Sequence, residues 1–425
     1  MSPRRKVEDK GTRLLSLWER PDDAGEPIGC VATTFTFDSA FFEEHCLGRF
    51  ADMDSDPVED QRAYLIEREE KFSQMFACVL VDRAHVTASR SLRWHLCPVT
   101  VPGGGILHSK VSLLVWRHRI RVIVSSANLT PSGYRMNFEQ AGVLDFVPEG
   151  DIPLAMLTEV LDFLGRVRGL AAPDAVEQGP HRSLGQFLAQ VRSQVKSWSG
   201  RPWGRGDVRA EWLFVEPGAA SVFQQVQERM WSGPGPDQVQ VLSPFFDRGA
   251  ALPRTLDALH GFMGTYRERE VLFQVAGTEL PGGEYELNAP EGLRESGKRG
   301  LMHKFALVCP QDENGEPRPL HAKSLWLQRE DRAVHTVGSS NFTSPGLGLG
   351  PGPINVEANL AYVLTSATSR SAWSQCDAAT PKHELLDLGE DELRFLQEPL
   401  DHTPEPNEYS PLPASFGSAL FEPHA

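Results

Sequence analysis

The chain has 425 residues, 40% of them hydrophobic and 23% charged, the composition of an ordinary globular protein with length enough for two or three domains. Its formal net charge of -15 excludes nucleic-acid binding by bulk positive charge, so any polyanion site is a local basic patch on an acidic body. No run of 18 apolar residues occurs and the opening stretch MSPRRKVEDKG has no apolar core, so neither a membrane span nor a signal peptide is read, and a cytoplasmic location without stable membrane insertion is expected.

In chain order, VATTFTFD (31–38) reads as a strand ending in a Phe-Asp turn, an amphipathic segment follows, and ACVLVD (77–82) reads as a second strand. Gly103, Gly104 and Gly105 read as a flexible loop, with close approach of substrate backbone as the functional alternative. HSKVSLLV (108–115) and RVIVSSAN (121–128) read as a hairpin turning through WRHRI. Segments 151–167 and 182–198 read as helices. In the second, Leu184, Phe187, Leu188, Val191 and Val195 form one apolar stripe suited to packing on a sheet. Glycine and proline in 197–207 interrupt both periodicities and mark a boundary.

Beyond it the series repeats: strand VQVLSPFFD (239–247), helix 252–263, strand VLFQVA (271–276), then a hairpin of HAKSLWLQ (321–328) and VHTVGSSN (334–341) turning through REDRA. His303 and Lys304 lack the spacing of a His-x-Lys pair and read as incidental strand residues, with lining of the cleft as the alternative. A period of about 210 residues is far longer than that of a solenoid and implies a duplicated domain. The expected organisation is one half over 1–198, a second over 199–400 and a proline-rich, mobile tail over 401–425. The six cysteines are widely spaced with no Cys-x-x-Cys pair, which reads as reduced, mostly buried thiols and calls for neither metal nor cofactor.

One signature is written twice: His108, Lys110, Asn128 and Glu139, then His321, Lys323, Asn341 and Glu357. Histidine to lysine is two residues and lysine to asparagine eighteen in both copies. Folding the hairpins about residues 118 and 331 sets His108 opposite Asn128 and His321 opposite Asn341, each with its lysine on the same face. Each glutamate stands in an Asn-x-Glu context, with Gln140 as an alternative to Glu139. Two histidines across a cleft can divide phosphodiester cleavage, one attacking phosphorus and the other handling the proton. Two lysines and two asparagines supply donors to the non-bridging oxygens, and the glutamates can orient the imidazoles through their second ring nitrogen.

HSK with SSAN, and HAK with GSSN, resemble the two His-x-Lys motifs of the phospholipase D superfamily. Its commoner pattern has an aspartate five residues after each lysine, where this chain has Val115 and Gln328. Lacking those aspartates, and with Asn128 and Asn341 kept, the chain looks like the tyrosyl-DNA phosphodiesterase branch, over residues ~30–365. The resemblance implies a duplicated α/β fold of two mixed sheets flanked by helices about a pseudo-twofold axis. It also implies one metal-independent site that works in a monomer, with His108 as nucleophile and His321 as general acid and base.

Arg93, Trp94 and Arg117, within stretches where cations and aromatics interleave, are candidates for holding phosphates and stacking bases, and a third basic loop covers 293–300. Tyr134 and Phe342 follow the two asparagines and are candidate cleft walls, with core packing as the competing reading. The expected function is cleavage of nucleic acid by a phosphodiesterase, either a nuclease or a DNA-end-processing enzyme, through a phosphohistidine. Two alternatives stand beside it: hydrolysis or headgroup transfer on phospholipids, and an inactive nucleic-acid-binding module.

Overall fold

The structure is a computed structural model that describes residues 13–55, 60–86, 91–173, 179–204, 206–247, 254–264, 268–294, 298–312, 314–378, 381, 384–386 and 392–396. The expected tail over 401–425 lies outside the described residues.

Six strands form the first sheet: β1 (Pro27–Thr34), β2 (Phe76–Asp82), β3 (His95–Val99), β4 (Val111–Trp116), β5 (Ile120–Ser125) and β6 (Ala141–Phe146). Their order is β3-β2-β1-β4-β5-β6. The later strands are β7 (Arg209–Val215), β8 (Gln238–Leu242), β9 (Arg269–Val275), β10 (Gly277–Glu279), β11 (Tyr285–Leu287), β12 (Leu301–Leu307), β13 (Ser324–Arg329), β14 (Arg332–Gly338), β15 (Glu357–Leu364), β16 (Glu384–Leu386) and β17 (Leu393–Phe395). Eight of them form a sheet in the order β16-β12-β9-β8-β13-β14-β15-β7, while β10, β11 and β17 make a small separate one. Strand for strand, β12-β9-β8-β13-β14-β15 repeats the order of the first sheet. The pairing directions repeat too: the first two pairs are parallel and the rest antiparallel. The fold is thus a duplicated α/β unit with two mixed sheets.

The longer helices are α1 (Gln61–Ser73), α2 (Leu154–Gly169), α3 (Pro180–Gln194), α4 (Val222–Arg229), α5 (Arg254–Met263) and α6 (Arg370–Ala378). The stripe on α3 behaves as its spacing predicts: Leu184, Phe187, Leu188 and Val191 are buried and Val195 packs beside them. All six residues of β4 are buried, because helices and loops cover both faces of its sheet and a continuous apolar run is what such a strand requires. The same core that holds α2 and α3 also takes in Trp212, Val337, Ala358 and Leu360 from the second half, so the two sheets share buried surface. None of the described helices is long and apolar enough to cross a membrane. All six cysteines are free; Cys30, Cys46, Cys78 and Cys97 are buried, whereas Cys309 is exposed.

Three expectations change. The first strand ends at Thr34 instead of residue 38, and Asp38 instead accepts a hydrogen bond from the Phe41 backbone N–H at 2.8 Å to start a short helix. The hairpin turns are tighter than WRHRI and REDRA suggested. Val115 pairs with Ile120 and Trp116 N donates to Arg119 O, leaving Arg117 and His118 as a two-residue loop. Arg329 pairs with Arg332, leaving Glu330 and Asp331, with Glu330 at φ 51°. Both registers therefore slip by one residue from folds about 118 and 331, which exchanges the faces of the cross-strand partners. The third change concerns Gly105: a Cβ there would stand 1.9 Å from Ile354 O of the second half, so this glycine permits contact between halves.

Candidate active site

The ladder of the first hairpin stops short of His108, since β4 begins at Val111. The chain there leaves its own sheet and meets the other half. Leu107 forms a parallel bridge with Val356, and His108 N donates to Val356 O at 2.9 Å. The second copy does the same in reverse, with Leu320 bridging Phe138 and His321 N donating to Phe138 O at 3.0 Å. Each histidine is thereby laid beside the Asn-x-Glu segment of the opposite half.

The consequence is a crossed pair of imidazole–carboxylate contacts. His108 Nδ1 lies 2.9 and 3.0 Å from the two oxygens of Glu357, and His321 Nδ1 lies 2.7 Å from Glu139 Oε1. A carboxylate only accepts, so each Nδ1 carries the proton and each Nε2 is left for chemistry. Both glutamates are walled off from solvent, with side chains 0% and 1% exposed. Glu357 accepts from Ser339 Oγ and from Asn355 Nδ2 at 3.0 Å; Glu139 accepts from Ser126 Oγ and from Asn137 Nδ2 at 3.2 Å. Gln140, the alternative to Glu139, uses its backbone carbonyl to accept from Ser126 N. The sequence assigned no role to Ser126, Ser339, Asn137 and Asn355. Their signal was present, since each serine stands two residues before its asparagine and each of the other asparagines two before its glutamate.

The lysines are equally enclosed, Lys110 at 3% and Lys323 at 1% exposure. Each Nζ donates to the carbonyl of its own histidine, Lys110 to His108 O at 2.7 Å and Lys323 to His321 O at 2.5 Å. Burial pushes the Lys110 ammonium well below its usual pKa, with the nearby Lys323 charge acting in the same direction. Lys323 is lowered to about 8, also by burial. Burial likewise lowers His108 to about 4 against the opposing pull of Glu357, and it lowers His321 against that of Glu139. Burial raises the Glu139 carboxyl, but His321, Lys323 and Ser126 together outweigh it and hold the group below the ordinary value.

Asn128 and Asn341 follow β5 and β14 as the signature requires. Gly133 and Gly346 pack against their backbones, where an added Cβ would approach the asparagine carbonyls to 2.4 and 2.7 Å. Two phenylalanines unnoticed in the sequence edge the histidines. The Phe35 ring lies 5.5 Å from that of His108 and Phe245 lies 6.3 Å from His321, both edge-on.

Of the five candidate substrate contacts, Trp94 and Phe342 are buried, Tyr134 packs against the core, Arg93 is ion-paired and Arg117 lies on a hairpin loop. Trp94 is 3% exposed and donates to Glu43 at 3.0 Å within the core. Arg93 is engaged by Glu69 and Glu43. Arg117 sits in the hairpin loop at the far end of β4, seven residues or roughly 20 Å from Lys110. Its neighbours Arg119 and Arg121 are paired with Asp23 and Asp145. Tyr134 accepts from Trp18 Nε1 at 3.1 Å and packs on Phe41. Phe342 is 3% exposed and packs against Phe246 and Phe273. His303 faces inward and pairs with His260 at 3.0 Å, while Lys304 pairs with Glu270. Part of the basic loop, 295–297, lies outside the described residues.

No family model and no curated protein sequence matches the chain. Solved structures do. A histidine mutant of the yeast tyrosyl-DNA phosphodiesterase superposes with a TM-score of 0.50 at 11% identity, over 81% of this chain and 84% of that one. Another structure of the yeast tyrosyl-DNA phosphodiesterase gives 0.48 at 10% identity over the same shares. The chain therefore has the duplicated phospholipase D-like fold of the yeast tyrosyl-DNA phosphodiesterase.

Proposed function

We propose that this protein is a phosphodiesterase that cleaves nucleic acid through a covalent phosphohistidine, with His108 as nucleophile and His321 as general acid and base. The observation that carries the reading is the crossed pair of contacts, Glu357 on His108 and Glu139 on His321. With Nδ1–H held by Glu357, neutral His108 offers its Nε2 lone pair to phosphorus. His321, held by Glu139 and protonated on Nε2, gives that proton to the leaving oxygen as the P–O bond breaks. It then takes a proton from water, whose oxygen attacks phosphorus and breaks the P–N bond. Lys110, Lys323 and Asn128 supply positive charge and donors for the non-bridging oxygens, whose charge grows in the transition state.

The nucleic-acid assignment is supported by the Asn-type signature and by the fold shared with an enzyme that acts on tyrosyl-DNA. The test is cleavage of an oligonucleotide carrying a blocked end, with EDTA present. His108→Ala is expected to lose at least about a thousandfold in turnover. A variant that cleaves at the unmodified rate contradicts the proposal. Release of choline from phosphatidylcholine vesicles with no oligonucleotide cleavage would move the substrate to phospholipid.

A further inference from the structure

The two halves differ in how their asparagine carboxamides are held. In the first half the Asn128 carboxamide is latched: its Oδ1 accepts from Phe35 N at 3.3 Å, with Thr36 N and Thr34 Oγ1 at 3.5 Å. Three contacts of the surrounding loop recur in the second half. Thr34 Oγ donates to Thr36 O as Ser243 Oγ does to Phe245 O. Leu129 N donates to Thr34 as Phe342 N does to Ser243, and Phe37 bridges Leu129 as Phe246 bridges Phe342. Phe35 therefore corresponds to Pro244, and proline has no N–H to give; of the other two donors, Phe245 N, the counterpart of Thr36 N, donates instead to Ser243 Oγ at 3.4 Å, and Ser243 Oγ donates to Phe245 O. The Asn341 Oδ1 is accordingly buried without a hydrogen-bond donor among the described residues. A buried acceptor left unpaired is unfavourable, and half a turn about the terminal bond of the side chain exchanges its oxygen and nitrogen.

We infer that Asn341, freed by Pro244, turns its oxygen into the cleft beside His321 and accepts a hydrogen bond from the water that resolves the phosphohistidine. This rests on the phosphodiesterase reading above and makes Asn341 the specificity residue of its second step. Water brings two hydrogens to that step. One proton passes to His321 Nε2 as the P–O bond forms and the P–N bond to His108 breaks, and the other is held by Asn341 Oδ1. An alcohol has one hydrogen, which His321 takes, so it leaves the acceptor unfilled. The vacant oxygen thus favours hydrolysis over transfer to alcohols, whereas latched Asn128 serves as a donor to phosphoryl oxygen.

The test is partitioning with the p-nitrophenyl ester of thymidine 5′-phosphate in water containing methanol. Release of p-nitrophenol reports formation of the intermediate, and the ratio of thymidine phosphate to its methyl ester reports its fate. Pro244→Ala restores the missing donor and is expected to lower the hydrolysis-to-methanolysis ratio about fivefold, with the p-nitrophenol burst unchanged. Asn341→Asp keeps an acceptor whichever way it turns, so its ratio is expected to stay at or above the unmodified value while its turnover falls. This second variant decides the matter if Pro244→Ala does not fold. An unchanged ratio in a folded Pro244→Ala protein, or a fall in Asn341→Asp, overturns the inference and leaves the phosphodiesterase reading intact. Absence of any burst in the unmodified protein removes that reading and the inference together.

Discussion

At the scale of the residue, the site is a balance between burial and pairing. His108 and His321 sit low in the histidine range because burial outweighs the attraction of Glu357 and Glu139. The proposed first step needs His108 neutral and His321 protonated, and this fixes the sign of the pH dependence. Activity falls with decreasing pH as His108 gains a proton near about 4, and falls with increasing pH as His321 loses one below its usual 6.5. The expected profile of kcat/KM is a bell centred on the acid side of neutral. Glu139→Gln removes the carboxylate that raises His321, so its basic limb moves to lower pH and turnover drops roughly a hundredfold. Steady-state rates between pH 3 and 9 check both; a basic limb unmoved in Glu139→Gln contradicts the assigned role of Glu139.

At the scale of the element, what positions the site is the short stretch before each hairpin, where the chain leaves its own sheet to bridge the opposite half. Gly105 lies in the first of these stretches, against Ile354 O. Gly105→Ala is expected to force the halves apart, lowering stability by about 2–4 kcal/mol and reducing turnover with it. Thermal unfolding and turnover measured on the same preparation check this, and a variant with unchanged stability contradicts the close approach. The doubled signature, the repeated series of elements along the chain and the stripe on α3 were legible in the sequence, because periodicity and repetition are local properties. The register was not, because a two-residue turn and a five-residue turn share the same polar residues and differ by one position in what they set opposite. Trp94 and Phe342 look like any aromatic in the sequence, and only the packing of Phe37, Phe42, Phe246 and Phe273 around them shows that they belong to the core.

At the scale of the molecule, duplication assembles the candidate site. Neither half has a complete set, since each histidine takes its carboxylate from the other, and the shared core around Trp212 keeps the two in register. The formal charges of the two lysines and two glutamates cancel, so a net charge of -15 is compatible with a site that receives one phosphodiester. The claim on which this account rests is that the two histidines have unequal roles within one composite site. The direct measurement is a trapping experiment: incubate the protein with an oligonucleotide substrate, quench in base, and map phosphorylated residues by mass spectrometry. Phosphorus with nucleotide attached on His108, and none on His321, is the predicted result; a modified His321 with an unmodified His108, or turnover with neither histidine modified, would contradict it.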